Sequence, residues 1–378
     1  MNAPNDDAAQ RPASGLRRRD FAALPLAPAL AALAALWPAA KVHARPNPLE
    51  ADEDILFLPG VARALEDGLV DIDVHAWVYE KDRHWILDAG LARYMGLELS
   101  KLNPASRVRF AQRTFLFHAE SESGKAVEID FGRGVPPVDM PPSDWTGRTN
   151  LRATVPLSVD PRNAPWLRFS AILPGPRRRI DGRALLVPER GLSVISDIDD
   201  TIKRTQVRDR REMMLNTFVR PFEAAPGMAA HYRKMARDPF TRFHYVSSSP
   251  IQLWPPLDAF LRHAGFPPGS VHLRESTTWR TIVPGEGESR EHKSSAILNL
   301  VNTYAQRSFL LVGDSGELDP EIYGEIARTH GHRLQGIVIR DVTQEGRDSP
   351  RYAAAFEGVD PALWHVYADG DTWPAPPN

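Results

Sequence analysis

The 378-residue sequence contains no cysteine. This absence excludes disulfide bonds, zinc–thiolate sites and a cysteine nucleophile. Net positive charge is also lacking, because the formal net charge is −2 and no long basic run lies outside the extreme N-terminus. We therefore expect no nucleic-acid partner, since binding to a phosphate backbone depends on clustered lysine and arginine. With 42% hydrophobic residues, the chain is long enough for two domains, each with its own core.

The N-terminal segment 1–44 has the features of an export signal. Arg18, Arg19 and Phe21 form the Arg-Arg-x-Phe pattern of a twin-arginine signal, and an Ala- and Leu-rich run follows over 22–40. The alternative is a membrane anchor, but several prolines and the weak hydrophobicity of alanine disfavour a spanning helix. The sequence therefore predicts a protein that is exported to the periplasm or the cell envelope.

Residues 45–188 have mostly β character. Short apolar or alternating runs, separated by Gly, Pro, Asn and Asp, predict a small sandwich-like accessory domain. Helical insertions are predicted at Trp85–Met95 and Ser106–Gln112, and the scattered histidines indicate no metal site. The predicted strands are Asp54–Leu58, Val70–Tyr79, Arg113–His118, Val127–Phe131, Leu151–Leu157, Trp166–Leu173 and Ala184–Val187.

Residues 189–345 alternate between strand and helix patterns. This alternation of strands and helices predicts an α/β fold with a doubly wound parallel sheet. In such folds ligands bind at the carboxyl ends of the strands. Residues 346–378 remain as a C-terminal extension. The predicted strands are Leu192–Ser196, Phe243–Val246, Val271–Leu273, Phe309–Val312 and Gly336–Ile339, and the predicted helices are Gln252–Ala264, Lys293–Tyr304 and Glu321–Thr329.

The first strand of this array runs directly into three acids. Asp197, Asp199 and Asp200 follow the apolar run Leu192–Ser196. Buried carboxylates that lie together repel one another and lose hydration, so such a cluster indicates a metal ion, a shared proton or both. The alternative is an acidic turn that caps the next helix, because Asp and Thr are good N-cap residues.

Complementary groups follow the other predicted strands. Ser247 begins a hydroxyl-rich turn suited to a phosphate oxygen, and Lys293 opens a helix from which its charge can enter the site. Asp314 and Asp319 belong to a second acidic turn after an apolar strand. Two acidic turns in one αβ array can converge on one hard, oxygen-ligated cation.

These segments resemble, in order, the four motifs of the haloacid-dehalogenase-like phosphatase superfamily. The longer strings 196–203, 245–250 and 313–323 are more narrowly similar to the catalytic domain of the actin-patch-protein type of phosphatidate phosphatase. The matching residues are Asp197, Asp199 and Thr201 in the first motif, Ser247 in the second, Lys293 in the third, and Gly313, Asp314 and Asp319 in the fourth.

The resemblance implies that Asp197 attacks phosphorus and forms an aspartyl-phosphate. Asp199 protonates the leaving alcohol and then activates water, and we expect its acid neighbours to raise its pKa. Thr201 orients the loop and the acid. Asp200 is expected to be a structural, helix-capping acid.

The resemblance also implies a Mg²⁺ cofactor. The expected ligands are the Asp197 carboxylate, the Asp199 backbone carbonyl and Asp314, with Asp319 acting directly or through water. Ser247 and Lys293 stabilise the phosphoryl oxygens in this scheme.

The spacing of the motifs leaves little room for a cap domain over the site. Such an open site admits large or membrane-bound phosphates. A basic and apolar lip for anionic lipid is predicted nearby, with an ordinary amphipathic helix as the alternative. The lip residues are Lys203, Arg204, Arg208, Arg210, Arg211, Met213, Met214, Leu215 and Phe218.

The sequence therefore predicts a Mg²⁺-dependent phosphatase that acts on a lipid phosphate such as phosphatidate, with peripheral membrane contact. Two alternatives stay open. One is a phosphatase for soluble or macromolecular phosphoesters of the envelope. The other is a non-catalytic envelope binding module that only holds a cation.

Overall fold

The computed structural model describes residues 47–65, 68–81, 85–132, 134–156, 165–173, 178–275, 282–283, 285–369 and 373. The predicted export signal lies outside the described residues. Pro46–Asn378 form one compact unit. Every helix within the described ranges is too short or too polar to cross a lipid bilayer.

The strands fall into a β-rich half and an α/β half. They are β1 Asn47–Pro48, β2 Glu53–Leu58, β3 Gly60–Ala64, β4 Leu69–Glu80, β5 Glu120–Ser121, β6 Lys125–Ala126, β7 Glu128–Asp130, β8 Val138–Asp139, β9 Arg148–Pro156, β10 Trp166–Ile172, β11 Arg179–Leu186, β12 Leu192–Ser196, β13 Arg242–Pro250, β14 Gly269–Arg274, β15 Ser308–Asp314, β16 Leu334–Arg340 and β17 Trp364–Tyr367.

Among the described residues, the helices divide in the same way, with two in the first half and six in the second. They are α1 Trp85–Tyr94, α2 Pro104–Thr114, α3 Arg210–Met214, α4 Met228–Met235, α5 Trp254–Ala264, α6 Glu286–Thr303, α7 Asp319–His330 and α8 Pro350–Ala355.

Apart from the two-stranded pair of β1 and β6, the described strands of the β-rich half form one curled sheet. Its order is β2-β4-β3-β11-β10-β7-β8, and both β5 and β9 also pair with β4. Leu151 and Val155 of β9 share one hydrophobic core with Ile129 of β7, so distant parts of the sheet enclose that core. The strands predicted for a sandwich therefore lie in one branched sheet, rather than in two separate sheets.

The sequence prediction was wrong for Arg113–His118, which is not a strand. Helix α2 continues to Thr114, and a 3₁₀ turn covers Phe115–Phe117. The helix is fixed at its start by Asn103, whose side chain accepts a hydrogen bond from the Ser106 amide. The apolar run Phe115–Phe117 directly after the helix gave the appearance of a strand.

Strand β3 was not predicted because Gly60 and the proline before it resemble a loop. Gly60 lies within the sheet, where a Cβ atom would be 2.2 Å from the Asp73 carbonyl oxygen. A glycine inside a strand often marks such a close backbone approach.

The α/β half contains a six-stranded sheet in the order β14-β13-β12-β15-β16-β17. All of its pairings are parallel. Helices α4 and α5 cover one face through residues such as Tyr232 and Leu257, whereas α6 and α7 cover the other through Ile297 and Ile322. Burial on both faces explains the nearly continuous apolar strands.

The last strand of this sheet comes from the predicted C-terminal extension. Strand β17 pairs in parallel with β16, so that Trp364 lies beside Ile337 and Tyr367 beside Arg340. Phe356 stacks on Trp364 with ring centres 4.4 Å apart. The aromatic residues of the extension thus pack on the sheet and close its edge.

The two halves are joined by hydrogen bonds and by a shared core. Arg242 Nε donates to the Leu186 carbonyl at 2.7 Å, and the Val271 amide donates to the Pro59 carbonyl at 2.8 Å. One hydrophobic cluster contains side chains from α2 and from the α/β half together. The β-rich half therefore packs directly against the elements that surround the acid cluster.

Candidate active site

The two acidic turns meet because their strands are neighbours. Ser196 of β12 lies beside Val312 of β15, and the Asp197 amide donates to the Val312 carbonyl at 2.9 Å. Asp314 ends β15 and Asp319 begins α7. The carboxyl ends of two central parallel strands therefore place three acids at one point.

The carboxylates of Asp197, Asp314 and Asp319 form a buried triad, with one oxygen of each within 4.8 Å of the others. Asp314 accepts hydrogen bonds from the Gly316 amide at 2.5 Å and from Thr201 Oγ1 at 3.4 Å. Thr201 thus contacts an acid of the second turn, whereas its predicted role in orienting the first loop and Asp199 stays a prediction.

Gly313 is required for this close packing. A Cβ atom at position 313 would lie 2.4 Å from Asp319 Oδ2 and 2.7 Å from its Cβ. Asp319 Oδ2 also accepts a hydrogen bond from the Asp314 amide at 3.2 Å. A side chain at 313 would therefore push Asp319 out of the triad.

Lys293 is the cation at the centre of the acids. It is 1% exposed, and its Nζ lies 2.9 Å from Asp197 Oδ1, 2.6 Å from Asp319 Oδ1 and 2.7 Å from Glu317 Oε2. The prediction that Lys293 opens its helix was wrong. Helix α6 begins at Glu286, so Lys293 lies about two turns inside it.

The acids outnumber the cation. Burial raises the pKa of Asp197 well above its usual value, and the charges of Asp319 and Glu317 raise it further against the opposing effect of Lys293. Burial and the same neighbours raise the pKa of Asp314. One ammonium group among four carboxylates leaves negative charge uncompensated, and a divalent cation would offset most of it.

The donor set of the triad fits Mg²⁺. Within the part of the chain that the structure describes, neither carboxylate oxygen of the buried Asp197 accepts a hydrogen bond. Buried carboxylate oxygens without hydrogen bonds are rare, and they are the ligands that hard cations prefer. The Asp199 side chain is not part of the triad; the ligand expected from that residue is its backbone carbonyl, which stays a prediction.

Asp199 has a different environment from the one expected. Its carboxylate pairs with Lys203 Nζ at 2.8 Å and accepts hydrogen bonds from Thr205 Oγ1 at 2.8 Å, Ser249 Oγ at 2.8 Å and Ser247 Oγ at 3.1 Å. Burial alone would raise its pKa, but Lys203 and the hydroxyl donors lower it to about 2. The expectation of a raised pKa was wrong because these donors outweigh the neighbouring acids.

Asp200 is structural, although it caps a loop and not a helix. Its φ is 59°, and its carboxylate accepts the Thr205, Gln206 and Val207 amides, each at 2.7 Å. Its carbonyl accepts a hydrogen bond from Arg340. Asp200 therefore folds the loop that carries the partners of Asp199.

Ser247 lies inside a strand rather than in a turn before a helix, because β13 continues to Pro250 with an irregularity between Ser247 and Pro250. That irregularity allows Ser247 and Ser249 to reach the same oxygen of Asp199. Bulges of this kind commonly redirect side chains beside active sites.

An apolar pocket of about 460 Å³ opens beside Asp199 and Glu317. Its polar end also includes Thr205 and Ser249. The segment between β12 and β13 supplies part of the wall from α3 and the turn after it. The apolar lining residues are Val207, Met213, Met214, Phe218, Leu253, Ile282, Val283 and Leu318.

Only some of the residues predicted to form the lip lie at the pocket or on the surface. Met213, Met214 and Phe218 line the pocket, and Arg208 lies on the surface. Lys203 is buried at 1% exposure and pairs with Asp199, so its assignment to a lipid-binding lip was wrong.

Two charged residues of the site were not predicted. Lys203 follows Asp199 by four residues. In the sequence it resembles a surface lysine, although this spacing could have indicated an ion pair between the two residues. Glu317 lies within the fourth motif and contacts Lys293 from the pocket side. Both residues change the charge balance around the predicted nucleophile and acid.

Comparison with known proteins finds similarities to the α/β half of the chain. The family model for the phosphatidate phosphatase APP1 catalytic domain matches residues 192–341. Phosphatidate phosphatase APP1 of Saccharomyces cerevisiae is 35% identical over 167 residues, which cover 43% of this chain and 28% of the relative. An uncharacterized protein of Schizosaccharomyces pombe is 34% identical over 166 residues, covering 42% of this chain and 27% of that protein.

The aligned region is thus little more than a quarter of the length of each curated relative. The separate match to the family model, over residues 192–341, contains all of the motif residues from Asp197 to Asp319 and stops before α8 and β17. The resemblance inferred from the motifs is confirmed at this level: residues 192–341 of this chain are similar to the catalytic domain of phosphatidate phosphatase APP1.

Proposed function

We propose that this protein is a Mg²⁺-dependent phosphatase that hydrolyses a phosphomonoester, specifically a lipid phosphate such as phosphatidate, through an aspartyl-phosphate intermediate of the haloacid-dehalogenase-like type. The observation that carries the proposal is the pairing of Asp197 with Lys293 inside the acid triad. A buried carboxylate with free lone pairs beside a buried ammonium has the groups needed for nucleophilic attack on phosphorus.

Different residues of the chain have different roles in the two chemical steps. Asp197 attacks phosphorus, and the P–O bond to the leaving alcohol breaks as the aspartyl-phosphate forms. Lys293 and Ser247 stabilise the phosphoryl oxygens. Water then attacks the same phosphorus and releases phosphate and free Asp197.

Asp199 moves the proton in both steps. It protonates the leaving alcohol and then takes a proton from the attacking water. Because its pKa is about 2, the first role requires that substrate binding displace Lys203 or a hydroxyl donor from the carboxylate. Thr205 and Ser249 are the donors nearest to the pocket.

Asp197, Asp314 and Asp319 are the side chains that would hold Mg²⁺. When bound, the cation supplies charge neutralisation, so that an anionic nucleophile can approach an anionic phosphate. Thr201 keeps Asp314 in place, and Gly313 leaves room for Asp319.

The adjoining pocket supports a lipid phosphate. Its apolar wall begins beside Asp199, so a phosphate at Asp197 would leave the rest of an ester lying against Met214, Phe218 and Leu253. Burial of apolar surface contributes about 25 cal/mol per Å². A substrate with hydrocarbon chains would gain this energy, whereas a small polar ester would not.

The test is phosphate release by the purified chain with Mg²⁺ or with EDTA. The substrates are phosphatidate in detergent micelles, glycerol phosphate and p-nitrophenyl phosphate at equal concentrations. We expect release that depends on Mg²⁺ and is fastest from phosphatidate. Preference for the soluble esters would contradict the lipid substrate, and no release from any ester would favour the non-catalytic binding module.

We also propose that the protein works in the periplasm or the cell envelope after twin-arginine export. Arg18, Arg19 and Phe21 support this location. Residues 45–188 would then form an accessory domain beside the phosphatase domain at 189–345, with peripheral membrane contact near the apolar pocket.

A further inference from the structure

One wall of the apolar pocket is a single π-helical turn over Leu215–Val219, directly after α3. The Arg220 amide donates to the Leu215 carbonyl at 2.8 Å, five residues back. π-Helical turns are rare and often occur at functional sites. Thr217 and Phe218 of this turn line the pocket, so the conformation of the turn sets the shape of the pocket.

The carbonyl groups at the end of the turn are held by two arginines of α2, in the β-rich half. Arg113 Nη1 donates to the Thr217 carbonyl and to the Arg220 carbonyl, each at 2.8 Å. Arg109 Nε donates to the Val219 carbonyl at 2.8 Å. The last carbonyls of any helix lack partners within it, and here another part of the chain supplies the donors.

Arg113 is a buried cation held by neutral groups. It is 7% exposed, and its guanidinium carbon lies 3.6 Å from the centre of the Phe222 ring. Burial, together with the charge of Arg109, lowers its pKa to about 10, so it remains charged at neutral pH. A buried charge is costly unless hydrogen bonds compensate it, which makes these carbonyl contacts specific to arginine geometry.

The turn is also linked to the acid site on its other side. Asn216 Nδ2 donates to the Thr205 carbonyl at 3.0 Å, and Thr205 Oγ1 donates to Asp199 at 2.8 Å. The Phe117 ring, which follows α2, packs on the Phe218 ring with centres 5.7 Å apart. A continuous set of contacts thus runs from α2 through the pocket wall to Asp199.

We propose that Arg113 is a positioning residue that holds the π-helical turn in the shape that admits the apolar part of a large substrate. The β-rich half thereby takes part in substrate selection by the phosphatase domain. This inference rests on the proposed function for its kinetic consequence, but its structural consequence can be measured without catalysis.

The kinetic experiment compares Arg113→Met, which keeps volume and removes all donors, with Arg113→Lys, which keeps the charge and loses the forked geometry. Gln112→Ala is the control, because Gln112 is exposed on the same helix. KM and kcat are measured with phosphatidate micelles and with p-nitrophenyl phosphate. We expect Arg113→Met to raise KM for phosphatidate about tenfold, the equivalent of one charged hydrogen bond, with a smaller rise for Arg113→Lys.

The kcat for p-nitrophenyl phosphate should stay at the wild-type level in every variant, because this small ester does not use the wall. Equal losses on both substrates would overturn the selection role, and so would an unchanged KM for phosphatidate in a folded variant. If Arg113→Met does not fold, Arg113→Lys alone decides between these outcomes.

Hydrogen exchange tests the structural consequence separately. Amides 215–220 should exchange faster in either Arg113 variant than in wild type or Gln112→Ala. Unchanged protection would overturn the proposal even if phosphatase activity is present. If wild type released no phosphate but exchange increased as expected, the proposed function would fail while the positioning role stood.

Discussion

Lys293 Nζ lies 2.9 Å from Oδ1 of Asp197, yet neither oxygen of that carboxylate accepts a hydrogen bond from any described residue. The two residues are held together by charge in a site where both are almost wholly buried. The lone pairs of Asp197 are thus left free for a cation and for phosphorus. A structural carboxylate would instead be saturated with hydrogen bonds, as Asp200 is.

The contrast between Asp197 and Asp200 gives the first prediction. Asp197→Asn should fold normally and lower kcat by at least about 10³-fold, because it removes the nucleophile. Asp200→Asn is the matched control, since it weakens the three amide contacts of the loop. It should lower the free energy of unfolding by about 1–3 kcal/mol and reduce activity far less per folded molecule. Wild-type rates of phosphate release by Asp197→Asn would rule out the covalent mechanism.

Asp314→Asn should raise the melting temperature of the metal-free protein. The substitution removes one of the mutually repelling carboxylates whose pKa is raised by burial and by Asp319. A gain of about 1 kcal/mol corresponds to a rise of about 1–2 °C in a chain of this size. Thermal scans in EDTA and in Mg²⁺ check this, and the variant should lose the stabilisation that Mg²⁺ gives to wild type. An equal Mg²⁺ response in both proteins would contradict the assignment of Asp314 as a ligand.

Lys203→Met should destabilise the protein in a pH-dependent way. The pKa of Asp199 is lowered from 3.8 to about 2, so its ionised form stabilises the fold above pH 3.8, and this contribution is lost as the pH falls toward 2. It amounts to about 2 kcal/mol at neutral pH. Without Lys203 the pKa of Asp199 should rise, and the contribution should disappear.

Urea unfolding of wild type and Lys203→Met at several pH values measures this difference. The difference in free energy of unfolding between wild type and Lys203→Met should be largest at neutral pH and should narrow on acidification. The free energy of unfolding of Lys203→Arg should lie between the values of those two proteins. A gap that is constant with pH would mean that Lys203 acts through packing alone.

Arg351→Met should weaken Mg²⁺-dependent activity although position 351 lies outside the matched catalytic domain. Arg351 donates to the Ser315 and Glu317 carbonyls, both at 2.5 Å, and pairs with Glu321 at 2.8 Å. It therefore fixes the loop between Asp314 and Asp319. We expect the Mg²⁺ concentration for half-maximal activity to rise about tenfold, as is found when groups that orient metal ligands are removed.

Arg347→Met is the control for this experiment. Arg347 is exposed, donates to the Pro361 carbonyl and stacks on Trp364, away from the acidic turn. Its loss should leave the Mg²⁺ requirement unchanged. Identical effects of the two substitutions would show that Arg351 contributes only to general stability.

The export prediction is tested by a reporter fused after Ala44. Replacing Arg18 and Arg19 by lysine should abolish periplasmic reporter activity, because twin-arginine signals depend on the arginine pair. The unaltered fusion is the positive control. Export that continues without the arginine pair would reject this route.

The positions of Asp197 and Asp314 were predictable because buried parallel strands appear as apolar runs, and such strands place their carboxyl ends together. The roles of Lys203 and Arg113 were not predictable in the same way. Arg113 lies more than a hundred residues before the carbonyls that it holds, and no local pattern records such a contact. The pKa of Asp199 was mispredicted because the charge and hydrogen bond of Lys203, together with hydroxyl donors from Ser249 and Thr205, lower it against the effect of burial. The direction of the Ser249 hydroxyl depends on an irregularity in β13.

The parallel pairing of β17 with β16 has a consequence for protein engineering. A fragment ended at residue 341 would lose Asp369, which pairs with Arg340 at 2.7 Å, and would leave β16 as a bare edge. Exposed strand edges promote self-association. A portable unit that contains this sheet therefore has to extend at least to Asp369, so that grafting it into another polypeptide keeps the closing strand.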